Sequence, residues 1–218
     1  MKQILSAKES VEKIFDGMTV MIGGFLATGT PETLVDALED KGVKDLTLIA
    51  NDTSYPEKGI GRLVVNDQFS KVFVSHIGTN KYTGEKMHND ELDVNLVPQG
   101  TLAEQIRAGG AGLGGILTPT GIGTVAEEGK QKIKINRKDY ILAESLTADV
   151  ALIKAEQADE FGNLRYRLSA RNFNPLMAKA AKIVIAEVGS IEPASSFDPD
   201  DIHTPSVYVD YLVKREEG

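Results

Sequence analysis

The sequence predicts an α/β fold, a mainly parallel sheet flanked by helices, and three observations predict it. Short apolar runs such as Val20-Met21-Ile22 and Val150-Ala151-Leu152-Ile153 show no polar alternation, as expected of strands buried on both faces. Amphipathic segments with helix start and stop signals alternate with these runs. Glycine, proline and asparagine gather at the junctions between the two kinds of segment.

Taken in order, Ser6-Ala7-Lys8-Glu9 is a capping box with Val11, Ile14 and Phe15 behind it, which predicts a short helix ending near Asp16-Gly17. Val20 to Ile22 is a buried strand that Gly23-Gly24 ends. Thr30 reads as an N-cap with Pro31 at the first helical position, and the helix carries Leu34, Val35 and Leu38 on one face before Gly42 stops it. Leu46 to Ala50, Val72 to Val74 and Val94 to Val97 are further strands. Thr101 and Glu104 read as a second capping box, opening a helix with Leu102 and Ile106 on one side. Val150 to Ile153 and Ile183 to Ala186 complete the series, and Asn174-Pro175 caps a helix between them that bears Leu176, Met177 and Ala180. Lys132 to Ile135 and Tyr140 to Leu142 flank Asn136-Arg137-Lys138-Asp139, which predicts a small β-hairpin insertion. Val207 to Val213 alternates like an edge strand. With no linker, repeat or low-complexity stretch, residues 1–218 are expected to form a single domain.

The composition excludes several functions. The net charge is −8 with no basic cluster to offset it, so nucleic acid and anionic membrane are not expected partners. There is no cysteine, hence no disulfide, thiolate-held metal or cysteine nucleophile. The N-terminus has no signal-peptide core and no apolar run is long enough to span a bilayer, so a cytoplasmic protein is expected. His76, His88 and His203 have no metal-ligand spacing, and no metal site is predicted. Walker A, G-x-S-x-G, H-E-x-x-H and EF-hand patterns are missing. Gly121-Ile122-Gly123-Thr124-Val125-Ala126 fits a loose dinucleotide pattern, but Glu127-Glu128-Gly129-Lys130 follows it instead of an apolar helix face, which favours a plain loop.

In open α/β sheets ligands bind at the carboxyl ends of strands. Three segments fall there: Gly23 to Pro31, Asn51-Asp52-Thr53 and Pro98-Gln99-Gly100-Thr101. Spacing alone leaves each with two readings. The glycine segment is either a backbone cradle for an anionic or carbonyl oxygen or a tight turn that binds nothing. Gln99 is either an amide donor to a carbonyl gaining charge or a solvated loop residue. No carboxylate is marked by spacing as a nucleophile.

The opening stretch has a more specific identity. Asp16-Gly17, two residues, three apolar residues, Gly23-Gly24-Phe25, three residues, Gly29, one residue and Pro31 resemble the signature of the family I coenzyme A transferases, first (A, or α) subunit. Ile49-Ala50-Asn51-Asp52-Thr53, Val97 to Glu104, Ile106 to Gly112, Thr118 to Gly121 and Ala170 to Met177 resemble family segments in the family's order, from about residue 1 to the C-terminus. The likeness is closest to acetate/butyrate–acetoacetate CoA-transferase A subunits.

The resemblance implies a CoA-transferase fold, shared in outline with sugar-phosphate isomerases. It implies transfer of coenzyme A from a short-chain acyl-CoA to a free carboxylic acid, with CoA as substrate and no permanently bound cofactor. In the family an enzyme glutamate attacks the thioester and becomes a glutamyl-CoA thioester, and that glutamate sits in a Ser-Glu-Asn-Gly motif of a B subunit. The motif does not occur here, as expected of an A subunit. The family suggests two A and two B chains. It places CoA against Gly24, Phe25, Leu26, Ala27, Thr28, Gly29 and Thr30, with Asn51 a further candidate, and an oxyanion-stabilising glutamine at Gln99. The alternatives are a sugar-phosphate isomerase-like domain, or an acyl-CoA- or nucleotide-binding domain, working as a homo-oligomer.

Overall fold

The computed structural model describes residues 1–215. The first half alternates strand and helix: β1 (Gln3–Leu5), α1 (Ala7–Val11), β2 (Thr19–Ile22), α2 (Glu32–Lys41), β3 (Leu46–Ile49), α3 (Ile60–Val65), β4 (Phe69–Val74), α4 (Lys81–His88), β5 (Asp93–Leu96) and α5 (Gln99–Gly110). There follow β6 (Gly115–Thr118), β7 (Lys132–Ile135), β8 (Lys138–Glu144), β9 (Ala148–Asp159), β10 (Leu164–Arg165), α6 (Asn174–Met177), β11 (Ala181–Glu192) and β12 (Tyr211–Lys214). The main sheet has nine strands in the order β1-β12-β11-β9-β2-β3-β4-β5, all parallel, with β10 added antiparallel to β9. The remaining strands form a small antiparallel sheet, β6-β8-β7.

The unbroken apolar runs follow from burial on both faces. Val20 and Ile22 of β2 face one way, into a cluster with Leu34, Val35 and Leu38 of α2 and Leu63 of α3. Met21 faces the other way, against Leu102 and Ile106 of α5 and Met177 of α6. On β9, Val150 and Leu152 join the first cluster while Ala151 and Ile153 join the second. Each such Leu or Ile withdrawn from water contributes roughly 1.5–3 kcal/mol, which holds helices on both sides of the sheet.

This topology locates the ligand crevice. From β2 the chain builds outward through β3, β4 and β5, whereas β9, β11 and β12 lie on the opposite side of β2. The order therefore reverses at β2, and in such sheets the crevice opens outside the carboxyl ends of the strands at the reversal.

Several local expectations are corrected. Thr30 is not the cap of α2; the N-cap is Pro31, which makes no side-chain cap bond, and Thr30 is buried against Gly24. Proline disfavours helical backbone in the residue before it, which keeps Thr30 in the loop. The second capping box is also absent. Pro98 is the N-cap of α5, so Thr101 falls inside the first turn and Glu104 pairs with Arg107 at 3.0 Å. Asn174 is the first residue of α6 and Phe173 its cap. Phe15 is exposed, whereas Val11 and Ile14 are buried as expected. The alternating C-terminal segment is not an edge strand: 206–208 is a 3₁₀ turn, and β12 lies between β1 and β11. The hairpin is tighter than expected, because Ile135 pairs with Lys138 and only Asn136 and Arg137 turn. The capping box at Ser6 and the stop at Gly42 (φ +67°) are found where the sequence placed them.

Candidate functional site

The carboxyl ends of four neighbouring strands, β2 to β5, converge on one open depression of about 350 Å³. Phe25 and Leu26 enter it from the loop after β2, Asn51 and Asp52 from β3, Ser75 and His76 from β4, and Gln99 from the start of α5. A larger groove of about 600 Å³ lies over α1 and α2, but the predicted site residues do not line it.

The loop after β2 is built by backbone geometry. Gly24 adopts φ +128°, and a Cβ there would sit 2.2 Å from Thr30 Oγ1. Phe25 and Thr28 exchange two backbone hydrogen bonds of 3.0 and 2.9 Å, closing a two-residue turn. Its central residues, Leu26 (φ +45°) and Ala27 (φ +67°), are both left-handed, a costly conformation for side chains with a Cβ. External contacts hold it. The Leu26 N–H donates to Asp52 Oδ2 at 2.9 Å, Asn172 Nδ2 donates to the Thr28 carbonyl at 2.9 Å, and Asn174 Nδ2 donates to the Gly29 carbonyl at 3.0 Å. Asn174 is fixed in turn by the Lys154 N–H, which donates to its Oδ1 at 3.0 Å.

Asn51 and Asp52 are 2% and 3% exposed. Asn51 Nδ2 donates to Asp52 Oδ2 at 2.6 Å, and the Ser54 N–H donates to Asp52 Oδ1 at 2.7 Å. Gln99 Nε2 donates to Asn51 Oδ1 at 2.7 Å, and Ser75 Oγ donates to the Asn51 carbonyl at 2.8 Å. Gln99 itself is exposed at the rim. Among the described residues no cation pairs with Asp52; its charge is met by N–H donors alone.

A second buried carboxylate lies under the loop. Glu187 of β11 is fully buried and sits opposite Lys154 of β9 in register. Its Oε2 accepts the Leu34 N–H at 3.3 Å, supplying the cap that α2 lacks at Pro31, and the Lys154 ammonium stands 3.8 Å from Oε1. Burial pushes the Glu187 carboxyl above its usual range, and Lys154 only partly opposes this.

The structure thus brings the predicted loop, Asn51 and Gln99 to one place. Phe25, Leu26, Asn51 and Gln99 face the depression, while Gly24, Ala27, Thr28, Gly29 and Thr30 form the frame behind them. Sequence reasoning missed Ser75 and His76, although they follow an apolar strand and the strand-end rule reaches them too. It noted Asp52 only as part of a segment. It also left the supporting role of Asn172 and Asn174 unread. Among the described residues no group of His, Cys, Asp and Glu is arranged to hold a metal, and no helix is long and apolar enough to cross a membrane.

Residues 4–215 match the family described as Coenzyme A transferase. The chain is 52% identical to the acetate CoA-transferase subunit alpha of Escherichia coli K12, over 99% of this chain and 98% of that one. It is also 52% identical to the acetoacetyl-CoA:acetate/butyrate CoA transferase alpha subunit of Clostridium acetobutylicum, over 95% of each. In the fold it resembles an acyl-CoA transferase of Escherichia coli O157:H7, with TM-score 0.89 and 22% identity; it covers 98% of this chain and spans about half (47%) of the length of that one. The glutaconate coenzyme A-transferase of Acidaminococcus fermentans has TM-score 0.86 at 18% identity, over 97% of this chain and 75% of its own.

Proposed function

The chain belongs to the coenzyme A transferase family, and from that premise we propose that residues 1–218 form the A-subunit domain of a heteromeric cytoplasmic enzyme. It moves CoA between acetoacetyl-CoA, butyryl-CoA or acetyl-CoA and a free short-chain carboxylate. The reading gains its substrate range from the names of the relatives. Its division of labour rests on one observation: the depression offers donors to an acyl oxygen but no carboxylate free to attack.

A nucleophilic carboxylate needs access and an unengaged lone pair. Asp52 is 3% exposed and accepts three N–H donors, and Glu187 is fully buried. The family likeness implies a glutamate of the B subunit as the nucleophile, and it closes over the depression, in keeping with the engagement of Asp52 and Glu187. That glutamate attacks the acyl-CoA carbonyl; a C–O bond forms, and the C–S electron pair leaves with the CoA thiolate. The thiolate then attacks the glutamyl carbonyl of the anhydride and releases the donor acid. The incoming carboxylate repeats both steps in reverse. At each tetrahedral stage an oxygen gains charge, and a Gln99 N–H directed into the depression stabilises it. The Gly24–Thr30 loop, whose glycines at 24 and 29 allow close packing on Thr30 and Ala170, holds Phe25 and Leu26 at the wall against which CoA docks. Two A and two B chains complete the enzyme.

The test compares the purified chain with the chain mixed with its B subunit. The chain alone should transfer no CoA from acetoacetyl-CoA to acetate, and addition of B should restore transfer. Borohydride added after acyl-CoA should reduce a thioester on B only, located by peptide mass. Transfer by the isolated chain, or a reduced thioester on Glu144 or another glutamate of this chain, would overturn the proposal.

A further inference from the structure

We propose that Asp52 is a positioning residue that sets which end of the Gln99 amide faces the bound acyl group. The proposal deepens the transferase reading and rests on it. An ionised carboxylate only accepts hydrogen bonds, whereas a primary amide has a donor end and an acceptor end. Asp52 Oδ2 lies 2.6 Å from the Asn51 side chain, so the end of Asn51 that meets it is the NH₂. This leaves Asn51 Oδ1 directed away from Asp52, where it accepts from Gln99 Nε2 at 2.7 Å and from Ser75 Oγ at 3.2 Å. An amide oxygen in turn only accepts, so the end of Gln99 that meets Asn51 is also the NH₂. One buried charge thus orients two amides in series.

The orientation matters because the NH₂ of Gln99 carries two N–H groups. Asn51 takes one, and the second remains for a ligand oxygen. If Asn51 turned over, its NH₂ would face Gln99, and Gln99 would turn over as well. The depression would then receive the Gln99 carbonyl oxygen, a lone pair set against an oxygen gaining negative charge. Asp52 also holds the Leu26 N–H, and with it the strained turn at the other wall of the depression. Its three N–H partners, in a site only 3% exposed, fix this acceptor in place among donors.

The test is a double-mutant cycle in the complex assembled with B. Gln99→Ala should lower kcat by roughly ten- to a thousandfold, as loss of an oxyanion donor does. Asp52→Ala should lower kcat about ten- to a hundredfold in the native background and by less than about twofold in the Gln99→Ala background, since residues acting through one group are not additive. Asn51→Asp should restore much of kcat to Asp52→Ala, because a carboxylate at 51 has no wrong end to offer Gln99. If Asp52→Ala fails to fold, the isosteric Asp52→Asn carries the same cycle, with an expected loss of at least about threefold that vanishes without Gln99. Full additivity of the two losses, with Gln99→Ala impaired by itself, would overturn the orienting role and leave the transferase reading intact. An unimpaired Gln99→Ala enzyme would overturn the orienting role of Asp52 and the oxyanion role of Gln99 together, while CoA transfer itself would stand.

Discussion

Glu187 is the residue whose environment is most at odds with its chemistry, since it is fully buried with a lysine ammonium only at 3.8 Å. Its carboxyl is raised above the ordinary value of 4.5, by burial first, with Lys154 acting against the shift. Between 4.5 and the raised value the folded chain holds a proton that the unfolded chain has released. Stability therefore falls as pH climbs through that window, and the cost is fully present above it. Glu187→Gln keeps an acceptor for the Leu34 N–H and carries no charge. Urea unfolding from pH 4 to 8 should show a smaller loss of stability with rising pH in this variant than in the native chain; an unchanged slope would remove Glu187 as its source. Neither Glu187 nor Asp52 could be singled out from the sequence. Each is defined by donors that folding brings from elsewhere, Leu34 to Glu187 and Leu26 to Asp52, and no local spacing announces such a meeting. The placement of Gly24 and Gln99 was legible because it belongs to the strand ends that they follow.

At the scale of elements, start and stop signals were read well where the cap is local and poorly where proline intervenes. Ser6 and Glu9 exchange their capping bonds at 3.2 and 2.9 Å. The similar pattern at Thr101 and Glu104 failed because Pro98 had already begun the helix, which is also what brings Gln99 to the mouth of the depression. The two tight turns make a second comparison. Leu26-Ala27 and Asn136-Arg137 both hold two left-handed residues, the geometry that Asn-Gly satisfies with least strain. At the hairpin no side-chain hydrogen bond or ion pair among the described residues involves Arg137 (φ +65°), so Arg137→Gly should stabilise the protein by about 1 kcal/mol, read as an increase in the urea midpoint with unchanged slope. A lower midpoint would mean that the Arg137 side chain supports the hairpin.

Over the whole molecule, the fold class was legible and the strand order was not. Alternating apolar strands and helices announce a parallel sheet with two covered faces, but pairing is decided by shape over long distances: β9 lies beside β2, and β12 enters between β1 and β11. The second of these placements has a kinetic consequence. Gln3 pairs with Tyr211 and Leu5 with Val213, so these two neighbours in the sheet lie far apart in the sequence. Closing so long a loop costs entropy before any contact rewards it. Refolding should therefore be biphasic, with the β2-β3-β4-β5 half gaining protection first and the β1-β12 seam zipping up last. Pulsed hydrogen exchange should find the Met21, Leu48 and Val72 amides protected before those of Ile4 and Leu212, and simultaneous protection would mean a single cooperative step. A refolding chain would meanwhile wait with the flank of β12 bare, open to capture by any other extended segment.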